Sequence, residues 1–478
     1  MDASLLDTID FGETGRERWL ALARKAAGAD DLSALTSRTD DGIAIEPLSP
    51  AGPIGQHAHR VDPASPWTVV QRVDDPDPER ARAQALDDVA GGATGLALVF
   101  EGAPNAFGHG LPATQEALER VLDGVSLATT HIRVDSHPNS RATVEWLVKL
   151  VGSRRVDPGK LSLSLGIDPA ATFAGTGQLR MSLESLEASL PQSLAHLFAL
   201  GLPGVLLEAD GRVYHNAGAT EAQELGIMLA TAIGYLRMFE GARQPLVYAA
   251  PHIGFSVAVD QDQFLGMAKI RALRRLWARA QEACGIEPSA ASVHAETSWR
   301  MTTTRDPETN ILRGTIACFA AGAGGADSVS VLPYTIAHGL PDAFARRVAR
   351  NTQLVLAQES GVGYVADPAL GSGAVEALTD HLCEAAWAEM QRIEAEGGVL
   401  RSLSDGRLQA RIGEARLRRS EALASGQRAI VGTTLYPLAK ERPVATLDAS
   451  PQPAPADGVA FCEALAAQRL DETVGGQP

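Results

Sequence analysis

GLPGVLLEADGRVYHNAGATEAQELGIMLATAIGYLRMFEG (201–241) contains one full unit of the plan that the rest of the chain repeats. GVLLEA (204–209) is a short apolar run bounded by glycine and acidic residues, the pattern of a buried strand. After a polar loop, residues 221–239 are Ala/Leu-rich with helical spacing, and Thr220 stands where an N-cap belongs. Working outward, the same alternation recurs on both sides. Candidate strands are GLALVF (95–100), HIRVD (131–135), LSLSLGI (161–167), IGFSVAV (253–259), ASVHAE (291–296), DSVSVLP (327–333) and a weaker GYVAD (363–367). Helical segments between them include 79–90, 261–282 and 343–360. Strands alternating with helices predict a parallel sheet. Eight strands close a barrel, so the expected fold is α/β, a (β/α)8 TIM barrel with insertions. An open doubly wound sheet is the alternative on pattern alone.

The ends depart from this rhythm. Residues 1–38 read as an N-terminal helical arm, with FGETGRERWLALARKAAG carrying apolar residues at helical spacing. The barrel domain is expected over 39–400 and a helical extension over 401–447. That extension holds the charged helix DGRLQARIGEARLRRSEALASG and a short extended piece, IVGTTLYPL. The Pro/Ala-rich tail, 448–478, is expected to be flexible up to a last short helix near 458–470.

The net charge of −16 argues against nucleic acid or an anionic membrane as the main partner. Cys284, Cys318, Cys383 and Cys462 are scattered without metal spacing and read as reduced thiols of a cytoplasmic protein. The N-terminus lacks a secretory pattern and no apolar run is long enough to span a membrane.

Motifs are sparse. GTG (175–177) and GAGG (322–325) are incomplete phosphate-loop patterns and read better as tight turns. No histidine pattern predicts a metal site. His294 and Glu296, two apart at a strand end, share one face where barrel enzymes place their chemistry. A buried polar pair ordering a loop is the competing reading. Tyr214 and His215 follow another strand, where they could polarise a carbonyl or simply pack in the loop with Asn216. Lys269, Arg271, Arg274 and Arg275 could meet coenzyme A phosphates, or equally form the solvated basic face of an outer helix or salt-bridge a partner.

Several long segments, taken together, resemble the methylmalonyl-CoA mutase family. They are TDDGIAIEPLSP (39–50), PWTVVQRV (66–73), GFSVAVDQDQFLGMAKIRALRRLW (254–277) and HAETSWRMTTTRDPETNILRGT (294–315). GGADSVSVLPYTIAHGLP (324–341), ARNTQLVLAQESGVGYVADPALGSGAVEALT (349–379) and IVG (430–432) complete the set. The resemblance covers roughly 39–435 and agrees with the barrel.

It also implies what is altered. Catalytic members carry a cobalamin-binding domain with an Asp-x-His-x-x-Gly motif; the nearest stretch here, DSHPNS (135–140), has the wrong end. The chain stops roughly 40 residues after IVG, too soon for a further domain of about 130 residues, so it is not expected to hold cobalamin. The tyrosine after the PWT segment is replaced by Arg72, and the Tyr-His pair by Arg212 and Val213. Glu296 stands for the Gln of His-x-Gln-Thr-Ser, and only His294 is retained. Tyr214 and His215 fall two residues beyond the family's pair. The Arg-Gly-Pro-Tyr-Pro segment has no counterpart before Pro66.

The resemblance therefore implies the family's small, non-catalytic subunit, with no catalytic, cofactor-binding or metal residues of its own. Its partner would be a large catalytic subunit carrying adenosylcobalamin, through an interface well above about 2,000 Å². The complex would interconvert (R)-methylmalonyl-CoA and succinyl-CoA, while the isolated chain would be inactive. Competing readings are a substrate-binding barrel subunit of a split cobalamin-dependent acyl-CoA mutase, and a stand-alone acyl-CoA sensor or scaffold.

Overall fold

The computed structural model describes residues 15–50, 60–452 and 456–474. Eight parallel strands close into a barrel: β1 (Thr68–Val73), β2 (Gly95–Leu98), β3 (His131–Val134), β4 (Leu163–Ile167), β5 (Val205–Asp210), β6 (Ile253–Val259), β7 (Ser292–Thr297) and β8 (Ser328–Ser330). They neighbour one another in chain order, and β8 pairs with β1 through Ser328 opposite Thr68. Eight helices form the outer ring: α1 (Pro78–Ala90), α2 (Gln115–Val121), α3 (Ser140–Ser153), α4 (Leu183–Ala199), α5 (Glu221–Gly241), α6 (Gln263–Ala283), α7 (Thr309–Gly324) and α8 (Ala343–Leu354). Beyond them lie α9 (Gly373–Ala395) and α10 (Arg407–Ala424). An arm helix, Arg16–Ala27, has no buried residue.

The barrel is as expected, but one strand is not. GYVAD contributes a 3₁₀ turn at Val362–Tyr364, and the eighth strand is Thr68–Val73. Gly361, at φ +66°, turns the chain just before GYVAD, so no extended run develops there. The helix expected near 458–470 is also absent: Ala460–Phe461 pair antiparallel with Gln178–Leu179, and Leu470–Thr473 form a 3₁₀ turn. No helix among the described residues is long and apolar enough to cross a membrane.

Local chemistry sets the helix starts. Asp77, Thr114, Ser182, Asp262 and Asp342 each cap a helix, and Thr220 forms a capping box with Gln223. The apolar core lies between strands and ring. Val69, Leu96, Ile132, Leu165, Leu207, Phe255 and Val329 are all buried there. Gly322 makes room for Trp67, whose ring would lie 2.5 Å from a Cβ at that position. Each glycine cluster closes a helix, with Gly177 (φ +73°) and Gly325 (φ +93°) ending it in the left-handed conformation and the earlier glycines still helical.

Two polar anchors hold the ring. Asp88 on α1 accepts from Gln71 of β1 at 3.2 Å and from Arg350 of α8 at 2.7 Å, and also pairs with Arg346 of α8. This joins the first unit to the last. Asp168, at the end of β4, accepts from Ala170, Ala171 and Asp210 backbone N–H groups and from the Tyr235 hydroxyl at 2.8 Å. Burial nevertheless pushes its carboxyl up to about 7.

Asp88→Ala leaves two arginines without their shared acid and should cost about 3 kcal/mol, read from urea denaturation. Asp168 gives a pH signature. Its folded pKa lies above the unfolded value of 3.8, so its stabilising contribution is complete below about pH 4 and fades as pH rises towards 7. Asp168→Asn should lose about 1–3 kcal/mol for a misplaced acceptor yet flatten that slope of stability against pH. An unchanged slope would contradict the assignment.

Candidate functional site

In a parallel barrel, every second strand residue points to the axis. Here that rule delivers charge. Arg72 comes from β1, Arg133 from β3, Glu208 and Asp210 from β5, and Glu296 from β7; Asp74 and Asp135 follow their strands directly. Arg212 enters from a short helix, Arg212–Asn216, after β5. All eight are buried.

They form one network. Arg133 grips Glu208 with two bonds, 2.6 and 2.7 Å, and donates to Ser256 at 2.8 Å and Asp135 at 3.3 Å. Arg212 holds Asp210 at 2.7 and 2.9 Å and Asp135 at 3.1 Å. Arg72 donates to Asp74 at 2.6 Å and to the Asn105 carbonyl at 2.5 Å. Glu296 lies between two of these cations, 3.3 Å from Arg212 and 3.8 Å from Arg72.

The electrostatics follow from this placement. Burial works against the Asp135 carboxylate, but Arg212, Arg133 and Arg72 outweigh it and hold its pKa below the usual range. Glu296 goes the other way: burial pushes it up, and Asp135 and Asp210 add to that, against the pull of Arg212 and Arg72. Arg212 keeps its proton despite burial because Asp135, Asp210 and Glu296 surround it. His294 is neutral, its pKa driven down by burial and then by Arg133 and Arg212. Its Nδ1 meets Ser328 Oγ at 2.8 Å and its Nε2 has no partner.

Space along the axis is divided. A polar cavity of about 170 Å³ remains at the N-terminal end, lined by Thr68, His131, Ser162, Ser164, His294 and Ser328 among others. Beside Arg72 and Asp74, towards Gln71 of β1 and Arg346 of α8, a hollow of only about 10 Å³ remains. At the C-terminal end, Phe107 stacks on Trp299 with centroids 4.3 Å apart and planes 7° from parallel. The Arg72 guanidinium sits 5.1 Å from the Phe107 ring, and that of Arg469 sits 5.4 Å from Trp299. Phe107 adopts φ +51°, a strained backbone fixed by this stack.

The tail crosses the same mouth. Backbone N–H groups of Leu447, Gln452, Cys462, Leu465, Gln468 and Leu470 donate to carbonyls of Leu340, Gly108, Gly177, Ala174, Asn216 and Arg300. Asp471 accepts from the Thr304 N–H at 2.7 Å. The tail thus bonds to the loops after β2, β4, β5, β7 and β8.

Not every sequence candidate reaches the axis. Val213 packs beside Gly175 of the helix Pro169–Thr176, and the Tyr214 hydroxyl is buried without a partner. His215 is fully buried: Nδ1 meets Glu224 and Nε2 meets Ser298 Oγ, both at 2.9 Å. Lys269 reaches Glu221 at 2.6 Å and pairs with Glu224. His215, Glu221 and Asp260 could in principle chelate a metal, but Lys269 and Arg300 already neutralise the acids, Arg300 lying 3.2 Å from Glu221 and 3.1 Å from Asp260. Arg271 pairs with Asp367 and Glu376, Arg274 with Asp327, and Arg275 with Glu376 and Asp380. The four cations of α6 therefore pair within the fold, and Lys269, Arg271 and Arg274 are buried, so they do not make a solvated basic face. Sequence reasoning missed Arg133 and Glu208. Their signal was a charge inside HIRVD and GVLLEA, strands that should be continuously apolar if buried on both faces.

The comparisons with known proteins agree with this geometry. The profile of the family described as methylmalonyl-CoA mutase matches residues 58–475. The chain is 37% identical to the methylmalonyl-CoA mutase small subunit of Streptomyces virginiae, over 95% of this chain and 75% of that protein. It is 34% identical to the small subunit of Propionibacterium freudenreichii subsp. shermanii, over 91% of this chain and 71% of the relative. A probable small subunit of Mycobacterium tuberculosis is 41% identical over 67% of this chain and 52% of its own length. With a profile spanning most of its length and relatives matching along nearly all of it, this chain belongs to the methylmalonyl-CoA mutase family.

Proposed function

We propose that the chain is the small, non-catalytic subunit of a heterodimeric methylmalonyl-CoA mutase. The complex interconverts (R)-methylmalonyl-CoA and succinyl-CoA in the cytoplasm, and a large catalytic subunit holds the adenosylcobalamin. In this reading Arg72, Arg212, Val213 and Glu296 are positions of lost chemistry, and His294 is a remnant. The arm (1–38), the barrel (39–400), the extension (401–447) and the tail (448–478) then serve assembly.

The observation that carries the proposal is the filled C-terminal mouth. A thioester substrate and a cobalamin face both need open space there, and radical chemistry needs groups that grip the substrate while excluding water. The Phe107–Trp299 stack and the tail occupy that space. The residues present do not fit the cofactor. The arginines on the axis already have counter-charges: Arg72 pairs with Asp74 and Glu296, and Arg212 with Asp210, Asp135 and Glu296, although the Nη1 of each makes no hydrogen bond. Glu296 would repel a substrate carboxylate. What this barrel's residues do is neutralise one another and hold the eight strands in place.

Mutase turnover with adenosylcobalamin tests the reading, on the chain alone and co-expressed with its large-subunit candidate. Inactivity and no bound cobalamin absorbance alone, with activity in one shared chromatographic peak on co-expression, are expected. Turnover by the isolated chain would overturn it. Arg72→Tyr with Val213→His should confer no activity on the isolated chain. It should also lower stability by about 3 kcal/mol, because Asp74 and Glu296 lose a buried counter-charge.

A further inference from the structure

Past α10 the chain departs twice from what its sequence suggests. IVGTTLYPL, expected to be extended, folds into a tight turn in which the Thr433, Thr434 and Leu435 N–H groups all donate to the Ile430 carbonyl. The stretch expected to be helical, 458–470, lies instead across the barrel mouth as a strap, held there in a different way from the helices of the ring.

The strap's grip is mainly backbone. Val459, Cys462, Leu465, Gln468 and Leu470 N–H groups donate to the carbonyls of Leu179, Gly177, Ala174, Asn216 and Arg300 at 2.6–3.0 Å. Water would take over both halves of each bond once the strap lifted, so the net loss per bond is small. Side chains add few anchors. Between 458 and 473 only Leu465 and Asp471 are fully buried, while Val459 and Phe461 are 63% and 66% exposed. The helices of the ring are held differently, by apolar side chains packed into the core around the strands. A segment with solvent-facing backbone bonds and little buried apolar surface is where a folded protein opens first.

One end of the strap is connected to the barrel axis. Asp471 accepts from the Thr304 N–H at 2.7 Å, from the Thr304 hydroxyl at 2.9 Å and from Arg469 Nε at 3.1 Å. This fixes the Arg469 guanidinium 5.4 Å from the Trp299 ring, which stacks on Phe107, which in turn meets Arg72. A column of cation, ring, ring and cation thus runs from the strap to the axial ion network. Phe107 (φ +51°) and Gly108 (φ +87°) keep the loop after β2 in a left-handed conformation that is costly for phenylalanine, and the stack on Trp299 holds the ring there. From these observations we propose that residues 458–473 form a latch that opens as one unit while the barrel stays folded, and that its opening frees the Phe107 loop. The closed latch fills the mouth; lifting it uncovers the loops beneath and leaves the axial ion pairs in place. The latch is independent of the subunit reading above.

Cys462 reports the state of the latch. In the closed form its thiol donates to the Phe173 carbonyl at 3.4 Å, and burial pushes its pKa up to about 12, so it is a poor nucleophile until the latch lifts. Cys318, fully buried on α7, is reached only when the barrel itself unfolds. The full-length chain is alkylated in native buffer and at low urea, and each thiol is followed by peptide mass spectrometry. Cys462 should label at least about 100-fold faster than Cys318, with a far weaker dependence on urea. Arg469→Ala removes the cation from the column, and Asp471→Asn leaves one acceptor where two oxygens now serve Thr304 and Arg469. Each should speed Cys462 labelling about 10-fold, leave Cys318 unchanged, and speed hydrogen exchange around Phe107 by a similar factor. Equal rates and urea dependence for Cys462 and Cys318 would mean that the strap unfolds only with the barrel. Cys462 labelling that neither variant alters would mean that the thiol is reached with the strap closed. Either result would overturn the latch, and unchanged exchange around Phe107 in both variants would overturn its coupling to that loop.

Discussion

Glu296 held between Arg72 and Arg212 is the constraint on which the barrel's interior depends. Barrel cores are ordinarily filled by layers of branched apolar side chains. Here the axis carries three arginines and five carboxylates, and each ion is tolerable only because of the others. Removing one partner from such a network strands a charge out of water, which costs far more than the net value of the pair. The strands that supply these residues sit on opposite sides of the ring. The network therefore works as an internal tie, joining β1, β3, β5 and β7 across the axis while backbone bonds join neighbours around it.

The tie also explains how far the sequence could be read. Seven of the eight strands announce themselves as apolar runs. Thr68–Val73 does not, because Gln71 and Arg72 interrupt it just where one side chain bonds Asp88 and the next joins the axial network. GYVAD, the weaker candidate, stood in the count instead. Its approach is turned by Gly361, at φ +66°, and leads into the 3₁₀ turn Val362–Tyr364. The 458–470 segment failed for another reason. Its alanines and leucines have helical propensity, but the backbone N–H groups of Cys462, Leu465 and Gln468 find carbonyls in the segments after β4 and β5, and tertiary bonding overrides the local preference.

The site was legible residue by residue but not as a system. The family resemblance marked Arg72, Arg212 and Glu296 as departures, and all three meet on the axis. What the resemblance could not supply is that these departures compensate one another. That depends on distances across the barrel, between residues as far apart in the chain as Arg72 and Glu296. Arg133 and Glu208, lying deeper, carried no motif at all.

These compensations bear on how such an axis can change. A buried Glu296 beside uncharged neighbours would have no counter-charge; Arg72 or Arg212 without the acids would be equally exposed to the cost of desolvation. Substitutions at these positions are strongly coupled, so their effects on stability cannot add. A single substitution towards an open axis removes one member of the set and destabilises the rest. Several simultaneous steps would still leave the Phe107–Trp299 stack and the tail across the mouth. The interior is thus committed to holding the barrel together, which leaves recognition to its outer surface.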